Sequence, residues 1–118
     1  MKKRLINALA RLASLKYQEA YIVNGTATEY VSIEDMLEDV TSLCATSQQR
    51  KAIFTEIQLE CLRKLGDEII KLSPFFFDVD SRKLIFENEN WAFLRNLAAE
   101  CLALFDIHIN HIRLEDID

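Results

Sequence analysis

Both histidines of the chain stand in its last segment, DIHINHIRLEDID, as His108 and His111, with Asp106 before them and Glu115, Asp116 and Asp118 after. On a helix, residues three apart share one face. Two imidazoles and one carboxylate there would make three ligands of an open metal site. The spacing lacks the glutamate that an HExxH helix supplies as general base. A histidine near a helix C-terminus also has a structural role, because its charged form interacts favourably with the helix dipole. The pair therefore reads as a helix end, and neither a metal ligand nor a cofactor is expected.

Nucleophilic chemistry has no better foothold. The sequence contains no GxSxG elbow, Walker loop or GxGxxG, and its two glycines cannot build a phosphate cradle. Cys44, Cys61 and Cys101 are an odd number, widely spaced and without a CxxC pair. Each falls on an apolar helical position, which predicts small core side chains rather than reactive thiolates. Their pattern suits a reducing cytoplasm and not a disulfide framework. No catalytic residue is expected, and the protein reads as a non-enzyme.

Charge is the more informative pattern. The formal net charge of −5 argues against nucleic-acid binding, which needs a surplus of lysine and arginine. Lys2, Lys3, Arg4, Arg11 and Lys16 fall in residues 1–16, a stretch without acids. From Tyr17 to Gln49 the order reverses, with Glu19, Glu29, Glu34, Asp35, Glu38 and Asp39 and no lysine or arginine. The last four share one helical face. Glu34–Glu38 and Asp35–Asp39 are like-charge i,i+4 pairs, each unfavourable by about 0.2–0.5 kcal/mol. The helix dipole favours acids in the first turn but fades beyond it, and no nearby cation in sequence neutralises Glu38 and Asp39. An uncompensated acidic face suits a basic partner.

The elements that position these residues are helical. Half of the 118 residues are hydrophobic, enough for one domain over 1–118, and one proline with two glycines leaves little to punctuate a β-fold. A first helix is predicted from about Lys2 to Val23, with Leu5, Leu9, Leu12 and Leu15 on one face and Asn24-Gly25 as a left-handed stop. Although Lys2, Lys3 and Arg4 imitate the start of a secretory signal, Asn7 and Arg11 interrupt the apolar stretch. No segment approaches the roughly 20 apolar residues that span a bilayer, so a cytoplasmic protein without membrane contact is expected. Ser32 and Asp35 predict the start of a second helix that buries Ile33, Met36, Leu37, Val40, Leu43 and Cys44. Thr46 and Ser47 read as the start of a third, running to about Leu72 with Phe54, Ile57, Cys61, Leu65, Ile69 and Leu72 inside. Gly66 marks a kink or a close approach in it. Residues 75–87 form either a small hairpin or a helical turn, with their aromatics in the core in both cases. The last helix begins near Asn88 to Asn90 and buries Trp91, Leu94, Ala98, Cys101, Leu102 and Phe105; where it ends relative to the histidines is open. The expected fold is an all-α bundle of about four main helices.

Two families are similar in part. EDMLED and RKLGDEI look like the acidic helix segments by which all-helical NTP pyrophosphohydrolases hold magnesium. Lys64 stands three positions before Asp67, where that pattern has a carboxylate, and a cation there opposes magnesium binding. The segment YQEAYIVNGTATEYVSIEDMLEDV resembles the immunity proteins paired with contact-dependent growth-inhibition and related polymorphic toxins: a helix, an NGT turn, a Tyr-containing link, then an acidic helix. The likeness lies in size, acidity and pattern over the first half of the chain. It implies an inhibitor that binds a cognate, often basic, toxin nuclease domain and blocks its active site or substrate groove. Glu29, Tyr30, Glu34, Asp35, Glu38 and Asp39 would then imitate the phosphates of the toxin's substrate. A helical adaptor or oligomeric structural protein is the other reading that composition permits.

Overall fold

Leu5, Ala8, Leu9 and Leu12 recur at helical spacing and form the buried face of α1 (Lys2–Ala13). Instead of running on to Val23, the helix breaks at Ser14, which is extended (φ −97°, ψ 109°). The Ser14 hydroxyl accepts from the Tyr17 N–H at 3.1 Å and so starts a new short helix, α2 (Leu15–Gln18), which relaxes into a π-helical turn over Glu19–Val23. The break is sustained by Gln18, which is fully buried. Its side-chain amide donates to the carbonyls of Arg11 (3.0 Å) and Leu12 (2.6 Å), close to the step in the backbone. Buried carbonyls left unpaired would each cost about 1–3 kcal/mol, so one side chain stabilises the whole step.

The structure, a computed structural model, describes residues 1–26 and 30–117. Neither residue of the expected left-handed stop adopts that conformation: Asn24 has φ −103°, and no glycine among the described residues has a positive φ. Gly25 serves close packing instead. A Cβ there would lie 2.6 Å from the Tyr21 carbonyl oxygen and 3.0 Å from Cδ2 of Tyr30.

Helix α3 (Ile33–Ser47) starts where the sequence places it, with the Ser32 hydroxyl accepting from the Asp35 N–H at 3.4 Å. Met36, Leu37, Val40, Leu43 and Cys44 are buried along its inner face, and Ile33 is half-buried. Thr46 and Ser47 do not open a third helix. They close α3, their hydroxyls donating back to the carbonyls of Ser42 and Leu43. The next helix, α4 (Glu56–Leu72), begins at a full capping box in which Thr55 and Gln58 each bond the other's backbone N–H. Leu65, Ile69 and Leu72 are buried as expected and Phe54 is buried ahead of the helix, but Leu59 and Leu62 complete the inner stripe, Cys61 is half-buried, and Ile57 is 67% exposed. Gly66 marks a close approach of α3 and α4, since a Cβ on it would lie 3.4 Å from Cβ of Cys44.

The region after α4 is helical too, and no strand occurs among the described residues. A 3-10 turn over Ser73–Phe75 leads to α5 (Ser81–Glu87), capped by the Asp80 carboxylate on the N–H groups of Arg82 and Lys83. The aromatic run does not enter the core as a block. Phe76 is buried with its ring edge-on to Trp91, 5.3 Å between centroids, whereas Phe75, Phe77 and Phe86 are exposed. Phe75 ends the 3-10 turn and Phe76 and Phe77 follow it in a further turn, where adjacent side chains do not share one face. Leu84 and Ile85 of α5 are buried.

Asn88 ends α5 and caps α6 (Glu89–Ala103), which buries Trp91, Leu94, Leu97, Ala98, Cys101 and Leu102; Phe105 beyond it is half-buried. Asp106 then turns left-handed (φ 61°), its N–H donating to Ala103 and the Ile107 N–H to Leu102. This is a Schellman closure, with aspartate where glycine is usual. The result is an all-α fold with six α-helices among the described residues rather than about four, because the first helix splits and residues 81–87 add a short one. Among the described residues, no helix is long and apolar enough to cross a membrane.

Candidate functional site

The histidines lie outside α6. His108 precedes a separate 3-10 turn, Ile109–His111, so the helix-dipole role expected for the pair does not arise. Both are exposed, and their rings meet edge to face at 5.7 Å. The nearby acids are engaged elsewhere, Arg113 pairing with Asp116 at 3.3 Å and Glu115 at 3.6 Å. Asp118 lies outside the described residues. No group of three or more His, Cys, Asp or Glu side chains that could hold a metal ion occurs among the described residues. Asp67, in the segment similar to the pyrophosphohydrolases, pairs with Arg63 at 3.3 Å.

The three cysteines, distant in sequence, converge between α3, α4 and α6, with Cys44 and Cys101 buried and Cys61 half-buried. Burial pushes the Cys44 thiol up from 9.0 to about 12, with Cys61 adding to it. Cys101 is pushed up by burial first and then by its hydrogen bond with Cys61. Protonated thiols among apolar neighbours are core groups, not nucleophiles.

The acidic residues divide into two sets. Asp39, expected to be exposed and uncompensated, is half-buried and held by Arg4 at 3.2 Å and Arg11 at 3.9 Å. Arg4 and Arg11 stand two turns apart on α1, hence on one side of it, and the packing of α1 on α3 brings that side to Asp39. Glu34, Asp35 and Glu38 are exposed and have no ion-pair partner among the described residues. Tyr30, two residues before the cap, is 58% exposed, with its ring edge close to Gly25. Glu29 lies outside the described residues.

Grooves flank this acidic row. On one side a cleft of about 680 Å³ separates α1 from α3, with Lys3, Arg4 and Arg11 facing Asp35 and Asp39. Cations and acids both line it, and Arg4 and Arg11 are paired with Asp39. A second groove, about 410 Å³, is lined by Glu34, Leu37, Glu38 and Thr41 of α3 together with Ser73 and Phe77. Phe77 is half-exposed, although its place in an aromatic run pointed, as for Phe75 and Phe86, to the core. A signal was present: Ser73-Pro74 begins a helical turn, so the chain enters the run of three phenylalanines coiled, and coiled backbone does not keep consecutive side chains on one face.

No protein-family model, curated protein or solved structure matches the chain.

Proposed function

We propose that the protein is a cytoplasmic, non-enzymatic inhibitor of the immunity-protein kind, which binds a basic toxin domain through the exposed face of α3. Glu34, Asp35 and Glu38 form the charged part of that face, and Tyr30 and Phe77 supply aromatic contact beside it. The observation that carries the reading is that none of these three carboxylates forms an ion pair among the described residues, on a face where Asp39 has two. Acids retained against like-charge repulsion are explained by a partner that supplies the counter-charge. Such charges speed encounter and select the partner, while aromatic side chains that become buried supply much of the affinity. Asp39 belongs to the α1–α3 packing and is not assigned to the docking set.

The test is protection of cells that express this chain beside the product of the gene immediately upstream. Wild type should neutralise that product, Glu34→Lys/Asp35→Lys/Glu38→Lys should fail to, and Glu115→Lys/Asp116→Lys should still protect. An upstream product that this chain does not neutralise, or a triple variant as protective as wild type, counts against the reading.

A second reading, a helical adaptor or oligomer, is supported by a separate observation. Ile57, Ile70, Phe75 and Phe93 are exposed apolar side chains, between 42% and 67% accessible. Sedimentation equilibrium decides it: a self-associated species that Ile70→Glu/Phe75→Glu converts to monomer favours the oligomer.

A further inference from the structure

We infer that the groove between α3 and Phe77 receives a single arginine side chain presented by a partner protein. The inference deepens the inhibitor reading and rests on it for the source of the arginine.

The chemistry of the groove selects its occupant. Leu37 forms a buried apolar wall, and Phe77 leaves half of its surface open to solvent. Glu34 and Glu38 stand one helical turn apart on the rim, without a cation among the described residues. A side chain suited to this site has an apolar stem, a flat cationic head that can lie on an aromatic ring, and several N–H donors for two carboxylates. Arginine has all three, since its guanidinium is planar, stacks on aromatic faces and offers five donors in a fork. A lysine ammonium brings a compact charge but neither the plane nor the fork. The Thr41 hydroxyl donates to the Leu37 carbonyl at 2.7 Å, which leaves its oxygen as a further acceptor beside the two carboxylates for a group that only donates.

The protein's own surface uses the same contact. Arg82 sits over the Phe86 ring at 5.6 Å and Lys2 over Phe105 at 5.7 Å from the centroid. Phe77 has no such cation among the described residues, although two carboxylates stand beside it. The arrangement is that of a cation–aromatic site with its cation still to come. Phe76, packed edge-on against Trp91, anchors the turn from which Phe77 projects, so the backbone at this side of the groove is positioned before binding.

The experiment is an NMR titration of the full chain with two capped peptides, acetyl-Gly-Arg-Gly-amide and acetyl-Gly-Lys-Gly-amide. The arginine peptide should give saturable amide shifts confined to Leu37, Glu38, Thr41 and Phe77, and should bind more tightly than the lysine peptide. Phe77→Leu, which keeps an apolar side chain but removes the ring, should weaken it about 2–5-fold, the worth of an exposed cation–aromatic contact. Glu34→Gln/Glu38→Gln should weaken it further and remove its dependence on salt. Shifts spread equally over Glu115 and Asp116, equal affinity for both peptides, or indifference to Phe77→Leu would overturn the assignment. If the peptide avoids the groove while charge reversal on α3 still abolishes protection, the occupant is wrong and the inhibitor reading stands. If the peptide binds as expected while charge reversal leaves protection intact, the groove stands and the inhibitor reading falls.

Discussion

The indole N–H of Trp91 donates to the side-chain oxygen of Gln18 at 3.0 Å in the fully buried centre of the protein. The same glutamine caps the Arg11 and Leu12 carbonyls, so one amide joins the break between α1 and α2 to the first turn of α6. Every hydrogen-bonding atom of the Gln18 side-chain amide is used, and none is available for chemistry.

Gln18→Leu keeps the volume and removes all three bonds, leaving the indole N–H without its acceptor and the two carbonyls without this donor. Urea unfolding should show a loss of about 2–4 kcal/mol, more than a surface substitution gives. A loss below about 0.5 kcal/mol would mean that the break at Ser14 is held by something else.

The second prediction concerns Asp106, whose positive φ places an L side chain where it is strained by roughly 1–2 kcal/mol unless glycine, asparagine or aspartate occupies the site. Asp106→Gly should therefore be neutral to stabilising, and Asp106→Val should destabilise by about 1–2 kcal/mol. Thermal melts of the two variants decide it, and equal melting temperatures contradict the left-handed closure of α6.

The third follows from the buried thiols. Burial raises the folded-state Cys44 thiol from 9.0 to about 12 and moves Cys101 in the same direction. The folded state thus holds protons that the unfolded state releases. Their contribution is fully present below the unfolded value near 9 and is lost as pH rises through the folded values. In that window each thiol should remove about 1.4 kcal/mol of stability per pH unit. Urea midpoints at pH 8 and pH 10 measure it, with Cys44→Ala/Cys101→Ala as the control whose stability should fall less over the same interval.

Much of the helix pattern was legible because it depends on local rules. The Ser32 cap, the inner stripe of α3 and the apolar side of α6 all follow from residue type and period. Three features were hidden for specific reasons. Thr46 and Ser47 have the side chains of helix caps but bond backwards to carbonyls four residues earlier, while the true cap, Thr55, comes eight residues after Ser47. The end of α6 bears no glycine, since Asp106 occupies the left-handed position, and so it could not be told from a helix running on to the histidines. The clasp of Arg4 and Arg11 on Asp39 joins residues far apart in the chain, so charge order alone could not separate Asp39 from Glu34, Asp35 and Glu38. The acidic row was readable from sequence; its division into a structural and a free part, and the aromatic beside it, were products of packing.

The central claim is that the free acids of α3 steer a basic toxin domain onto this face. It is tested most directly by the association rate of the purified pair across ionic strength, for wild type and for Glu34→Lys/Asp35→Lys/Glu38→Lys. Wild type should associate quickly at low salt and slow steeply as salt rises, since exposed charges are screened within about 10 Å at 0.1 M. The triple variant should associate about 10–100-fold more slowly at low salt, with a flat or reversed salt dependence. Identical rates and identical salt slopes for the two proteins would contradict the claim and leave the acidic row as solvated surface.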